Sequence, residues 1–202
     1  MKIVSVAVVV FALVLACSAA TAGTNITFTI SGNASGTLNG VGFSNETFTF
    51  TAGANTSTLT STSFNDSNIY FIYPYSTSFS IGGSPSGTLS NTYVFVNQNQ
   101  GGSFCYGSGV ACAGIGEAQD IVGLSNSAFA TYGLTSSIGP VYDFSPYFFS
   151  GPVDTSAGTL TFSAFDASFT ASTSAVPEPS GLLMLGTGLL GGIGALRRRF
   201  LA

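Results

Sequence analysis

The sequence predicts an all-β protein: an antiparallel β-sandwich or jelly-roll-like ectodomain, preceded by an N-terminal signal helix and followed by a C-terminal transmembrane helix. Three observations carry that expectation. Apolar and hydroxylated residues alternate with period two through the interior, clusters of Gly, Asn and Pro separate the alternating runs, and an apolar segment flanked by positive charge stands at each end.

The amino end reads Met1-Lys2, an apolar run from Ile3 to Ala16, and then Cys17-Ser18-Ala19-Ala20-Thr21-Ala22. One positive charge, a short apolar helix and a small-residue site make a signal peptide. Ala20 and Ala22 fit the two positions where signal peptidase accepts only small side chains, so cleavage is expected before Gly23. A rival reading takes Val14-Leu15-Ala16-Cys17 as a lipoprotein site with lipid on Cys17, but Leu15 fits such a site poorly and a clean A-x-A follows.

Residues 23–175 form the expected ectodomain, about one domain's worth of chain. Ile26, Phe28 and Ile30 face one way and Thr27 and Thr29 the other. The pattern recurs at 47–51, 92–96 and 159–162, describing half-buried strands with Phe inside and Thr outside. Turns are expected at Ser31-Gly32-Asn33, 82–85, Gly101-Gly102 and Gly151-Pro152, and at Asn39-Gly40, which tolerates positive φ at both central positions and so marks a hairpin. Glu117–Ala130 is the one marginal helical candidate.

Cys105 and Cys112 are the cysteines left after signal cleavage, with six residues between them in a Gly-rich stretch. In an oxidising compartment they are expected to close that loop with a disulfide. Two cysteines without His cannot complete a tetrahedral metal site, so no metal and no cofactor is expected.

Charged residues are only 6% of the chain against about 25% in an ordinary domain, and nothing between Ile3 and Leu196 is positive. Such a body has no cation to pair with phosphates, which argues against nucleic-acid binding. His is absent, which removes Ser-His, Cys-His and His-metal chemistry. Carboxylate pairs such as Glu117 with Asp120, or Asp143 with Asp154, have the residue type a glycosidase needs, but without Trp, His and Arg around them they read as solvated loop acids. Glu117 to Asp120 also lacks the Asp-x-Asp-x-Asp-Gly pattern of a calcium loop.

The aromatic runs Tyr70–Tyr75 and Tyr142–Phe149 read either as core strands bent at proline or as exposed rings for stacking on polysaccharide, with core favoured. The Thr and Ser ladder at 56–62 suggests a flat hydroxyl face of the ice-binding kind, but it lacks a fixed repeat and reads as an ordinary solvent face. Sequons at Asn25, Asn33, Asn45, Asn55 and Asn65 are common by chance in so Asn- and Thr-rich a chain.

The tail, 176–202, has three parts: Val176-Pro177-Glu178-Pro179-Ser180, an uncharged Gly- and Leu-rich segment over 181–196, and Arg197-Arg198-Arg199. The segment is slightly shorter than the ~17 to 25 residues of a spanning helix, and the arginines hold its far end in the cytoplasm. This tripartite order resembles a PEP-CTERM sorting signal. The resemblance implies that an exosortase, an integral-membrane transpeptidase-like enzyme, recognises Pro177-Glu178-Pro179 and cleaves nearby, so that this chain is a substrate rather than an enzyme. It further implies an inner-membrane-anchored precursor, destined for the cell surface or extracellular matrix.

The same kind of tail is also catalogued at the carboxyl end of ice-binding proteins, though a tail alone confers no ice binding. The body is similar, in composition more than in motif, to the β-rich ectodomains that precede such tails, notably over 35–51 and 158–170. The expected function is a structural or adhesive role at the surface or in extracellular polysaccharide. The alternative is a secreted carbohydrate-active enzyme or carbohydrate-binding module.

Overall fold

The computed structural model describes residues 23–64, 67–82, 86–98, 110–117, 120–144, 146–148 and 151–174. All of them fall within one compact unit, Gly23–Ala175. The expected signal and membrane helices lie outside the described residues. Among the described residues no helix is long and apolar enough to cross a membrane.

Thirteen strands make up the described chain: β1 (Asn25–Leu38), β2 (Val41–Asn55), β3 (Thr60–Phe64), β4 (Ser67–Ile72), β5 (Ser76–Ile81), β6 (Gly87–Leu89), β7 (Tyr93–Asn97), β8 (Cys112–Gly116), β9 (Asp120–Ser125), β10 (Ile138–Asp143), β11 (Tyr147–Phe148), β12 (Val153–Thr155) and β13 (Gly158–Ser174). They form two antiparallel sheets. The first runs β10-β13-β1-β2-β5-β6, with β12 also on β13, and the second runs β11-β9-β8-β7-β4-β3. Hairpins join β1-β2, β3-β4, β5-β6 and β7-β8-β9, while β13-β1, β2-β5 and β7-β4 bring together strands distant in sequence.

Period-two alternation positions the first sheet. Ile26, Phe28 and Ile30 on β1 are at most 2% exposed, and Phe48 and Phe50 on β2 are 1% exposed. These side chains join Val94, Val96, Ile115, Val122 and Leu124 of the second sheet in a single apolar core, so the two sheets bury their inner faces together. Phe169 on β13 is the hub: its ring lies 6.0 Å from Phe28, 5.4 Å edge-on from Phe129 and 6.1 Å edge-on from Tyr132.

The Asn39-Gly40 hairpin is present, joining β1 to β2 with φ of 50° and 79° at its two central residues. Both values lie in the left-handed region that a two-residue hairpin with this twist requires. The Asn39 amide also donates to the Thr159 carbonyl at 2.9 Å, which ties this turn to the start of β13.

Three expectations are corrected. Ser31-Gly32-Asn33 is not a turn: all three residues lie within β1, and the register slips just after Asn33, so the Gly-Asn signal marks a bulge. The described residues of Glu117–Ala130 form no α-helix; they hold β9 and most of a 3₁₀ turn at Ser127–Thr131, because the small and branched residues of β9 pair with β8. Cys112 is not in a loop but opens β8. The ladder at 56–62 is the ordinary solvent face expected of it, with Ser57, Thr58, Thr60, Ser61 and Thr62 exposed; a 3₁₀ turn at Thr56–Thr58, where the Asn55 side chain accepts from the Ser57 amide, interrupts its alternation.

The second sheet departs from alternation. Every residue of β8 and four of five on β7 are buried, with both faces covered. On its outer face Phe71, Tyr93, Phe95 and Tyr147 gather around Cys112. The opposing positions are glycines: a Cβ on Gly116 would meet the Tyr93 ring, one on Gly114 the Phe95 ring, and one on Gly123 the Tyr147 ring. Rings from one strand lie over backbone left bare on the next, which buries apolar area without a second layer of side chains.

Candidate functional site

The sorting residues Val176, Pro177, Glu178, Pro179, Arg197, Arg198 and Arg199, and the cleavage residues Ala20 and Ala22, lie outside the described residues, as does Cys105. Gly23 is described: its carbonyl accepts from the Asn55 amide side chain at 3.1 Å, and the neighbouring Thr24 exchanges hydrogen bonds with Thr56. Cys112 is fully buried, accepts a weak hydrogen bond from the Tyr147 hydroxyl at 3.5 Å, and is not a free thiol.

The carboxylates paired in the sequence reading, Asp143 and Asp154, do not converge. Asp143 on β10 stands opposite Ala167 and Asp154 on β12 opposite Thr159, both along the same edge of β13. At ~3.3 Å per residue that separation is on the order of 20 Å, beyond the roughly 5 to 10 Å of a glycosidase pair. Asp143 instead accepts the Ser125 amide at 2.7 Å, tying β10 to β9 of the other sheet. The Asp120 side chain is outside the description, so the Glu117 and Asp120 pair is not placed. Among the described residues no three potential ligands gather around a metal position.

Burial pushes the Tyr132 phenol well above its ordinary range, and its hydroxyl donates to the Ser136 carbonyl at 3.0 Å. This group packs on Phe169 and serves the core.

What the first sheet does assemble is its outer face. Because the paired strands alternate in register over this stretch, the residues opposite the core ones line up in rows across the sheet. One row reads Tyr142, Ser168, Ser31, Thr49, Ser80, and the next Thr170, Thr29, Thr51, Ser78, Thr88. The Ser31 and Ser168 hydroxyls meet at 3.1 Å. At the bulge, Asp166 on β13 faces Asn33 on β1. Its carboxylate accepts the Asn33 amide at 2.6 Å and the side-chain nitrogen at 3.2 Å on each oxygen. This pair lines an open groove of about 590 Å³ with Tyr142 and Phe144, which are 57% and 82% exposed.

The aromatic runs therefore divide. Ile72 is core, Tyr70 and Phe71 pack against the sheets, and Tyr73, Tyr75, Tyr142 and Phe144 stand in solvent. The Asn33 and Asp166 pair was not foreseen as a unit. Its signal was the run of outward hydroxyls ending in one polar planar group on each of two long strands. Asn33 is also a sequon residue, but its side-chain nitrogen is engaged with Asp166.

In class, the chain is an all-β body of two antiparallel sheets with a hydroxylated outer face. More particularly, residues 175–199 match the family model of the PEP-CTERM protein-sorting motif. The chain carries that motif, which marks an exported precursor held in a membrane until an exosortase cleaves it. No curated protein and no solved structure matches the chain.

Proposed function

We propose that this chain is an exosortase substrate whose body, once sorted, plays a structural or adhesive part at the cell surface or in extracellular polysaccharide, without catalysing a reaction. The observation that carries the reading is the sorting motif over residues 175–199. The body is in keeping with it: it lacks cations, Asp143 and Asp154 stand far apart along β13, and the outer face of the first sheet carries rows of hydroxyls.

In this reading signal peptidase cleaves after Ala22, Cys105 pairs with Cys112, and Pro177-Glu178-Pro179 presents the tail to the exosortase while 181–196 crosses the membrane with Arg197–Arg199 on the cytoplasmic side. The sandwich then remains outside the cell. Mass spectrometry of the protein recovered from its producing cells tests the route. Most molecules are expected to lack Arg197–Arg199; a population that keeps them would overturn exosortase processing.

A further inference from the structure

We propose that the outer face of the first sheet is a binding platform for an extended, uncharged polysaccharide, gripped at the groove formed by Tyr142, Phe144, Asn33 and Asp166. The inference rests on the adhesive reading above and gives it a site and a ligand class.

The chemistry of the groove selects the ligand. A sugar ring presents an apolar C–H face and a rim of hydroxyls. Phe144, 82% exposed, and Tyr142, 57% exposed, offer flat apolar rings beside a polar floor. Asp166 is held in place by the three contacts from Asn33. A carboxylate has about four acceptor positions, so one is left for a ligand hydroxyl. A protein partner would meet a surface whose floor is hydroxylated where protein interfaces carry an apolar centre.

Charge narrows the class. Nothing between Ile3 and Leu196 is positive, while the face carries Asp166, so an acidic polysaccharide finds repulsion and no counter-ion.

Length narrows it again. Tyr75, 70% exposed, lies over Gly53, at the level of Thr27 on β1. From there to Asn33 is about 20 Å of strand at ~3.3 Å per residue, floored by Thr29, Ser31, Thr49 and Thr51. Rings at both ends of a hydroxylated track suit a chain of sugars lying along the strands better than a single one.

Affinity electrophoresis of the full chain in mild detergent tests this, with dextran, hydroxyethylcellulose or galactomannan in the gel and alginate as the acidic counterpart. Retardation by at least one neutral polymer and none by alginate is expected. Tyr142→Ala with Phe144→Ala should weaken it at least about tenfold, and Asp166→Asn several-fold. Val41→Ala, which removes an exposed apolar side chain at the hairpin, should leave it unchanged. Unaltered thermal unfolding of the double variant shows that the fold is retained.

Lack of retardation by every neutral polymer, or equal retardation of wild type and double variant, overturns the proposal, as does retardation by alginate that the double variant loses. The extracellular polysaccharide of the producing cells separates the two readings. If it retards both proteins equally, the adhesive role stands and this platform falls. If it retards neither, both fall.

Discussion

The two sheets solve the same problem with different chemistry. In the first, strands such as β1 and β5 turn apolar side chains inward and hydroxyls outward, so a single layer of Phe and Ile against the core suffices and the other face meets water. In the second, β7 and β8 are buried on both sides, and the outer side is closed by rings lying over Gly114, Gly116 and Gly123. A strand can thus be made apolar on both faces in two ways, by large side chains or by the absence of side chains beneath a neighbour's ring. The chain uses both.

Removing what the sheets share should do most damage. Phe169→Ala takes away the ring against which Phe28, Phe129 and Tyr132 pack and is expected to cost about 3 to 5 kcal/mol in chemical denaturation. A loss under about 1 kcal/mol would mean that the sheets do not depend on a common core.

Breaking the second sheet's own device comes next. A Cβ on Gly114 would collide with the Val122 carbonyl, which is backbone and cannot step aside, as well as with the Phe95 ring. Gly114→Ala should cost about 1 to 3 kcal/mol, although Ala is ordinarily harmless in a strand. A neutral result would show that the glycines are incidental to the packing.

The core between the sheets also has a pH signature. The unfolded chain gives up the Tyr132 proton near pH ~10, whereas the buried phenol holds it to higher pH. Stability from this group is therefore complete below about pH 10. It erodes above that at up to about 1.4 kcal/mol per unit, until the folded group also titrates. Tyr132→Phe should flatten this alkaline slope in denaturation curves measured from pH 8 to 11, and an unchanged slope would count against burial as its cause.

The smallest effect belongs to the first sheet's water-facing side. Thr29→Val replaces one hydroxyl in a row of them, and stability should move by no more than about 0.5 kcal/mol. A loss as large as that of Gly114→Ala would erase the contrast between the sheets.

How much of this was legible in the sequence follows the same division. The first sheet could be read because its residues obey one rule: Ile26, Phe28 and Ile30 are inside, Thr27 and Thr29 are outside, and Asn39-Gly40 turns the chain. The second could be read only in part: the strand at 92–96 was visible, but it is buried on both faces, with Thr92 inside and Phe95 on the outer side, and Cys112-Ala113-Gly114-Ile115-Gly116 has no alternation of polarity, so its glycines suggest a loop until the rings above them are seen. The Ser31-Gly32-Asn33 signal was real but ambiguous, since turn and bulge draw on the same residues. The groove was half legible. Tyr142 and Phe144 were candidates for stacking, but only pairing of β1 with β13, more than a hundred residues apart, brings Asn33 to Asp166 beside them.

The absence of Lys and Arg from the whole span between Ile3 and Leu196 has a consequence of a different kind. Proteins opened transiently by thermal motion are normally vulnerable to whatever protease is nearby, and a firm fold only makes such openings rare. Here an enzyme that cuts after basic residues, as trypsin does, finds no bond to cut even in a fully opened body. Durability against that class of protease is written in the covalent chain, independent of folding stability.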